Sequence, residues 1–370
     1  MALRLLSRFA WIVVGGLFIF SGLIKLNDPV GTAIKLEEYF EVFSSDFSSV
    51  FLSLKPFTIY MSIFLSTLEV VLGVALLVRW RLNTVVWLLF FLTVFFTFLT
   101  FYSAYYNKVT DCGCFGDAIK LTPWQSFGKD VALLVLILVL LFTQRHILSI
   151  PRMNAGVTGA IVLVALVFSV AISVYAYRHE PFIDFRAYRV GANIPKLMKP
   201  SAPIRYQYIM EKGGQEFTLT SYPTDTTYKF KKMVPLNPED GPKITDFNIW
   251  NDQGDFTKEL FIGNRLLILV KDVKKADQES FKEINALLAG VEKDQSPKIV
   301  PVVITSSSSQ DFDVFRHEVN LAAPYFFADA TVLKTMIRSN PGLLLFKDGV
   351  VVGKWHYNDV PTLQEVQQLL

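Results

Sequence analysis

Five stretches of the chain are long and apolar enough to cross about 30 Å of hydrocarbon, which takes roughly 20 helical residues. They are 9–26, 58–78, 82–102, 127–142 and 156–177. The fourth is the shortest, and the neighbouring Ile147 and Leu148 extend it. The first does not read as a cleaved signal, because its run is too long and Phe20 to Lys25 offers no small-residue cleavage site. Between the first two spans, Phe40, Phe43, Phe47, Phe51 and Leu54 recur at three- and four-residue steps, with Glu37, Glu38, Glu41 and Asp46 between them. That spacing predicts an amphipathic helix lying in the membrane interface as an anchoring lid.

After the fifth span the period changes. Residues 181–245 are rich in proline and hold a hairpin, 205–210 and 216–220 about the Gly213-Gly214 turn, predicting a small β subdomain or ordered linker. In 246–370, buried strands at 265–270 and 299–305 alternate with helices at 276–288, 311–320 and 331–338. A short strand at 325–328, a hairpin of 342–346 with 350–355, and a helix at 362–370 follow. The fold class expected is an α-helical membrane bundle, four helices in 1–150 plus a fifth tethering span in 151–180, then the β subdomain and an α/β domain with a mixed sheet.

Charge divides along the same line. Residues 1–177 carry 12 Lys/Arg and 9 Asp/Glu, whereas 178–370 carry 24 of each, against 19% charged residues in the whole chain. The net charge of +3 with no basic cluster argues against a nucleic-acid partner; the lipid bilayer is the partner the spans require. With the N-terminus cytoplasmic, the short inner segments hold six arginines and no acid, while the longer outer loops hold six lysines and eight acids. The higher positive density inside favours that orientation, with the loop of 103–126 and the C-terminal half outside the cytoplasm.

The outer loop between spans three and four contains the only two cysteines, in Asp111-Cys112-Gly113-Cys114-Phe115-Gly116-Asp117. Three readings stay open. A purely structural disulfide gains little, about 1.6 kcal/mol of chain entropy for so small a ring. A metal site lacks ligands, because His146 falls at the opposite face and only nearby acids or the distant His179 remain. A redox dithiol fits a strained, exposed pair in an oxidising compartment, although Asp111 and Asp117 would raise the thiol pKa values. Glu69, deep in span two, is a second candidate, as proton carrier or as a hydrogen-bonded packing residue; Lys25, Asn27, Thr93 and Thr97 are partners within its reach. The phenylalanines of span three would suit a quinone ring as well as lipid. In the α/β domain, Asn340-Pro341-Gly342 precedes a strand in the manner of a cis-proline that shapes a binding edge. His317 and His356 read as surface residues.

The segments Phe18-Ile-Phe-Ser-Gly-Leu-Ile-Lys25-Leu-Asn-Asp-Pro29, Glu69-Val-Val-Leu-Gly73 and Cys112-Gly-Cys-Phe-Gly116 together resemble the DoxX/MauE group of four-helix membrane proteins over about 8–145. The resemblance implies a redox-linked bundle at the outer face of a bacterial inner membrane. Relatives are associated with quinone-coupled sulfur oxidation and with maturation of a disulfide-containing periplasmic enzyme. Residues 246–370 resemble the thioredoxin/TlpA-like fold through Asn340-Pro341-Gly342 and the hairpin after it, but lack the Cys-X-X-Cys expected near 270–276. A partner-binding role for Asn340, Pro341 and Gly342 is what that resemblance leaves. Two function classes follow. One is a membrane thiol–disulfide redox component with Cys112, Cys114 and Glu69 as its catalytic residues, a periplasmic thiol protein or thioredoxin-like partner, and quinone as the sole cofactor suggested. The other is a non-catalytic subunit of a larger inner-membrane assembly.

Overall fold

A computed structural model of the chain describes residues 2–109, 113, 115–148, 154–294 and 296–370. Cys112 and Cys114 lie outside the described residues. The chain divides into two units, Met1–Phe185 and Arg186–Leu370.

The first unit is helical. Helix α1 (Ala2–Asn27) is followed by α2 (Pro29–Asp46), whose start is capped by the Asp28 side chain and by proline in its first turn. A 3₁₀ segment, Ser49–Phe57, leads into α3 (Thr58–Leu77); α4 (Leu82–Tyr106), α5 (Pro123–Leu148) and α6 (Ala155–Arg178) complete the unit. Five of these segments have the length and apolarity of membrane spans, which makes the chain a multi-pass membrane protein. The fifth span, a tether whose packing the sequence leaves open, packs on α3 and α1. Helix α2 is the amphipathic segment between the first two spans, with Tyr39, Phe40 and Phe43 buried. Of the stripe read from the sequence, Phe47 is exposed, because the helix ends at Asp46.

Small residues set the α1–α3 seam. A Cβ on Gly73 would sit 2.8 Å from the Gly15 carbonyl oxygen and 2.8 Å from Ile19, and one on Gly22 would meet Val70 at 2.5 Å. Only hydrogen at these positions lets the backbones come so close, which is how membrane helices gain packing where no water is expelled.

The second unit opens with a short helix, α7 (Ile194–Leu197), and a three-stranded antiparallel sheet of order β2-β1-β3, from β1 (Tyr206–Lys212), β2 (Gln215–Leu219) and β3 (Lys229–Pro235). The expected hairpin is β1 with β2; β3 is an addition. A seven-stranded sheet follows, in the order β10-β9-β6-β7-β8-β4-β5. Its strands are β4 (Trp250–Asn251), β5 (Gly254–Asp255), β6 (Asn264–Val270), β7 (Ile299–Thr305), β8 (Tyr325–Phe327), β9 (Gly342–Lys347) and β10 (Val350–His356). Helices α8 (Phe281–Lys293), α9 (Ser309–Glu318), α10 (Ala330–Met336) and α11 (Leu363–Gln368) accompany it.

Strands β6 and β7 are parallel around α8, and β9 and β10 return antiparallel on the other side of β6 before α11. This β-α-β then β-β-α order is that of a thioredoxin-like core. Alternate residues of β6 feed two hydrophobic clusters, Leu267 and Leu269 into one, Leu266, Ile268 and Val270 into the other. A strand covered on both faces therefore reads as an unbroken apolar run. His356 is a correction: it is 3% exposed, packs on Tyr357 and accepts the Asn358 amide on Nδ1, so it closes the end of β10 rather than facing solvent. His317 is exposed.

Candidate functional site

In α1, Ser21 and Lys25 stand one helical turn apart and so share a face, with Gly22 between them at the close seam. The approach of α3 there carries the Glu69 carboxylate between the two. Lys25 Nζ donates to Glu69 Oε1 at 2.5 Å, and Ser21 Oγ donates to Oε2 at 2.9 Å. Glu69 is 1% exposed and Lys25 8%. The ammonium also lies 4.8 Å from the centre of the Phe96 ring of α4, a cation–π contact. Of the partners open to Glu69 from the sequence, the fold brings Lys25 to it. Two buried charges in hydrocarbon hold only while each satisfies the other, so this is a matched pair rather than a lone carboxyl.

A second buried carboxylate passed unremarked in the sequence. Asp130, in the first turns of α5, is 2% exposed; it accepts from Thr100 Oγ1 of α4 at 3.0 Å and pairs with Lys129. Lys129 in turn lies 5.5 Å over the Phe115 ring. Its signal was present, an acid followed by an apolar run, but the adjacent lysine gave it the look of an ordinary span end.

Both carboxylates line one partly open cavity. Leu17, Phe18, Leu65, Phe96, Leu99 and Leu133 make its wall mainly apolar. Helix α2 closes one side through Thr32, Lys35, Leu36 and Tyr39. Thr93 of α4 faces it as well; its hydroxyl is buried and has no hydrogen-bond partner among the described residues. Gly113 and Phe115 complete the lining. Gly113 has φ +64°, a backbone conformation that favours glycine, and a Cβ there would press on Lys35 Cγ of α2 at 3.1 Å. In sequence, Gly113 separates Cys112 from Cys114.

The far end of α2 is tied down separately. Asp46 accepts hydrogen bonds from Lys108, just beyond α4, and from Tyr102 within it, and these hold its carboxyl below the usual range. Phe43 packs edge-on against Tyr102 beside them. The wall that α2 contributes is thereby fixed to the helix leading into the cysteine loop.

The α/β unit offers a closed corner. The Asn340–Pro341 bond is cis. Asn340 Nδ2 donates to the Asp272 carbonyl and Oδ1 accepts the Lys271 amide, both at 2.8 Å; its own carbonyl accepts the Asp277 amide at 2.9 Å. Pro341 and Gly342 are buried, and a Cβ on Gly342 would collide with Ile337 at 2.3 Å. The loop that replaces the Cys-X-X-Cys is therefore bolted to the proline turn. The Asn340 side-chain amide and carbonyl are thus engaged within the unit. Among the described residues no cluster of His, Cys, Asp and Glu could hold a metal ion.

No curated protein matches the chain. Two solved structures are similar to it. One is the C-terminal domain of an uncharacterized protein from Bacteroides fragilis NCTC 9343, 20% identical, covering 34% of this chain and 91% of that one, with a TM-score of 0.25. The other is a thioredoxin-like protein from Bacteroides caccae ATCC 43185, 10% identical, covering 89% of this chain and 86% of that one, with a TM-score of 0.25. The strand order, not these low scores, carries the description of the second unit as thioredoxin-like. Residues 3–143, which hold the first four spans and the cavity, match the model of the family described as methylamine utilisation protein MauE, and this part of the chain is MauE-like.

Proposed function

We propose that the chain is an inner-membrane thiol–disulfide redox component, with Cys112 and Cys114 as its redox pair and the bundle cavity as the place where the electrons leave. The observation that carries this reading is that Gly113, between the two cysteines, lines the same cavity as the Lys25–Glu69 pair. In the oxidising half, Cys112 and Cys114 each lose a proton, their sulfurs join, and two electrons depart. In the exchange half, an exported protein's dithiol attacks that disulfide, takes it over and leaves Cys112 and Cys114 reduced.

The residues around the cavity fit a quinone head group: a mainly apolar wall, the aromatic face of Phe96, the Lys25 ammonium as donor and the unpartnered Thr93 hydroxyl. A quinone bound there supplies a two-electron, two-proton acceptor. The Glu69 carboxylate, hydrogen-bonded by Lys25 and Ser21, is placed to relay protons from the cavity, and Asp130 with Lys129 forms a second buried pair. The orientation assigned to this role has the N-terminus in the cytoplasm of a bacterium and both the cysteine loop and the thioredoxin-like unit in the periplasm. That unit holds a partner near the membrane without thiol chemistry of its own.

The closed corner at Asn340 favours a second reading, a non-catalytic subunit of an inner-membrane assembly. Single replacements separate the two. Cys112→Ser and Cys114→Ser, each alone, should trap mixed disulfides with exported proteins, visible as reducible bands on a non-reducing gel. Absence of such bands from both variants, with fixed stoichiometric subunits co-purifying, would establish the scaffold instead.

A further inference from the structure

A groove between α3 and α6 plays no part in the redox reading. Ile63, Phe64 and Val71 of α3 face Val170 and Val174 of α6 across it, and Tyr60, Tyr177 and Arg178 stand together at one end. That end is fixed by neighbouring contacts. Ser62 donates to the Pro29 carbonyl, and Asn27 bonds to the backbone of Ile183, so the start of α3, the end of α1 and the end of α6 lie at one side of the bundle. It is the side on which Lys25 lies, two residues before the end of α1.

We propose that this groove binds one phospholipid of the adjacent leaflet, an acyl chain lying between α3 and α6 and the phosphate on the Arg178 guanidinium. Three observations argue for that occupant. From residue 59 to residue 71 the groove follows α3 for about 18 Å at 1.5 Å per residue, close to half of a hydrocarbon core about 30 Å thick. It is therefore one leaflet deep. Its polar end has the composition of the membrane interface, two tyrosines beside a cation. Charge selects among occupants: the planar guanidinium matches a phosphate, and its five donors allow it to serve one alongside protein contacts. Tyr60 and Phe64 are 69% and 64% exposed, as residues turned toward lipid would be. The bound lipid would fill the space beside the least enclosed span, α6, of which only 22% is buried in the bundle.

Native mass spectrometry of the full chain, released from a mild detergent, tests this. The wild type should retain one phospholipid per chain. Arg178→Gln should lose most of that adduct, Arg178→Lys should keep part of it, and Ile63→Trp, which fills the groove, should lose it. Val167→Trp, at a 61% exposed position outside the groove lining, should retain it in full. Should Ile63→Trp fail to fold, the two Arg178 variants decide. A wild type without adduct, equal retention by all folded variants, an adduct of inorganic phosphate alone, or a dimer in place of the lipid would each overturn the proposal. The redox reading is untouched by any of these outcomes, because the cavity and the groove have different linings.

Discussion

Glu69 and Lys25 show what one residue contributes and how far a sequence discloses it. A carboxyl in an apolar span announces itself, since hydrocarbon tolerates it only with a partner. Lys25 was among the residues within reach, but choosing it required the α1–α3 seam, and no local pattern encodes that contact. Asp130 and His356 escaped for related reasons. One sits beside a lysine at a span end, the other at a strand end, and each is buried by elements distant in sequence. Removing half of the buried pair leaves the other charge uncompensated. Glu69→Gln should therefore destabilise the bundle by about 3–5 kcal/mol, read as a lowered Tm in detergent. The doubly neutral Lys25→Met with Glu69→Leu should recover most of that loss. If Glu69 also relays protons, the double variant should still cycle its cysteines more slowly than the wild type.

At the scale of elements, the five spans and the alternating strands of the second unit were legible, because each rests on a period or a run of one kind of residue. Strand β3 was not: its sequence, Lys-Phe-Lys-Lys-Met-Val-Pro, carries three lysines and no alternation that singles out a buried face. Pairing with β1 makes it a strand. The helix seam depends on glycine in a way that can be tested. Gly73→Ala places a methyl 2.8 Å from the Gly15 carbonyl oxygen, so the helices must part. The expected cost is about 1–3 kcal/mol, accompanied by a loosened Lys25–Glu69 contact and faster hydrogen exchange in α1. Helix caps add to the acid sensitivity of the second unit. Thr331 amide and hydroxyl bonds hold the Asp329 carboxyl below its usual range, and bonds from the Thr362 amide and hydroxyl do the same for Glu365 in its capping box. Lowered carboxylates contribute stability that is complete above their ordinary pKa and is lost as pH falls through the lowered one. Near-ultraviolet circular dichroism of the second unit's signal should stay flat from pH 7 to about 5 and decay below about pH 4.

For the whole molecule, one chain joins a cysteine-bearing membrane unit to a cysteine-free thioredoxin-like unit. The sequence disclosed that division through two quantities, where charge is dense and where cysteine occurs. It did not disclose that the Asn340 side chain ties the proline turn to the 271–272 loop, because Asn340 reads the same whether its amide faces a partner or the loop of Lys271 and Asp272. Unlocking that corner should matter little to redox cycling: Asn340→Ala is expected to lower the Tm of the second unit while leaving the oxidation state of Cys112 and Cys114 unchanged. The most direct measurement of the central claim is thiol trapping on native membranes with an impermeant alkylating reagent, while the quinone pool is driven oxidised and then reduced. The account predicts that Cys112 and Cys114 are labelled from the outside when the pool is reduced and are protected as a disulfide when it is oxidised. A pair locked in one state under both conditions would contradict it.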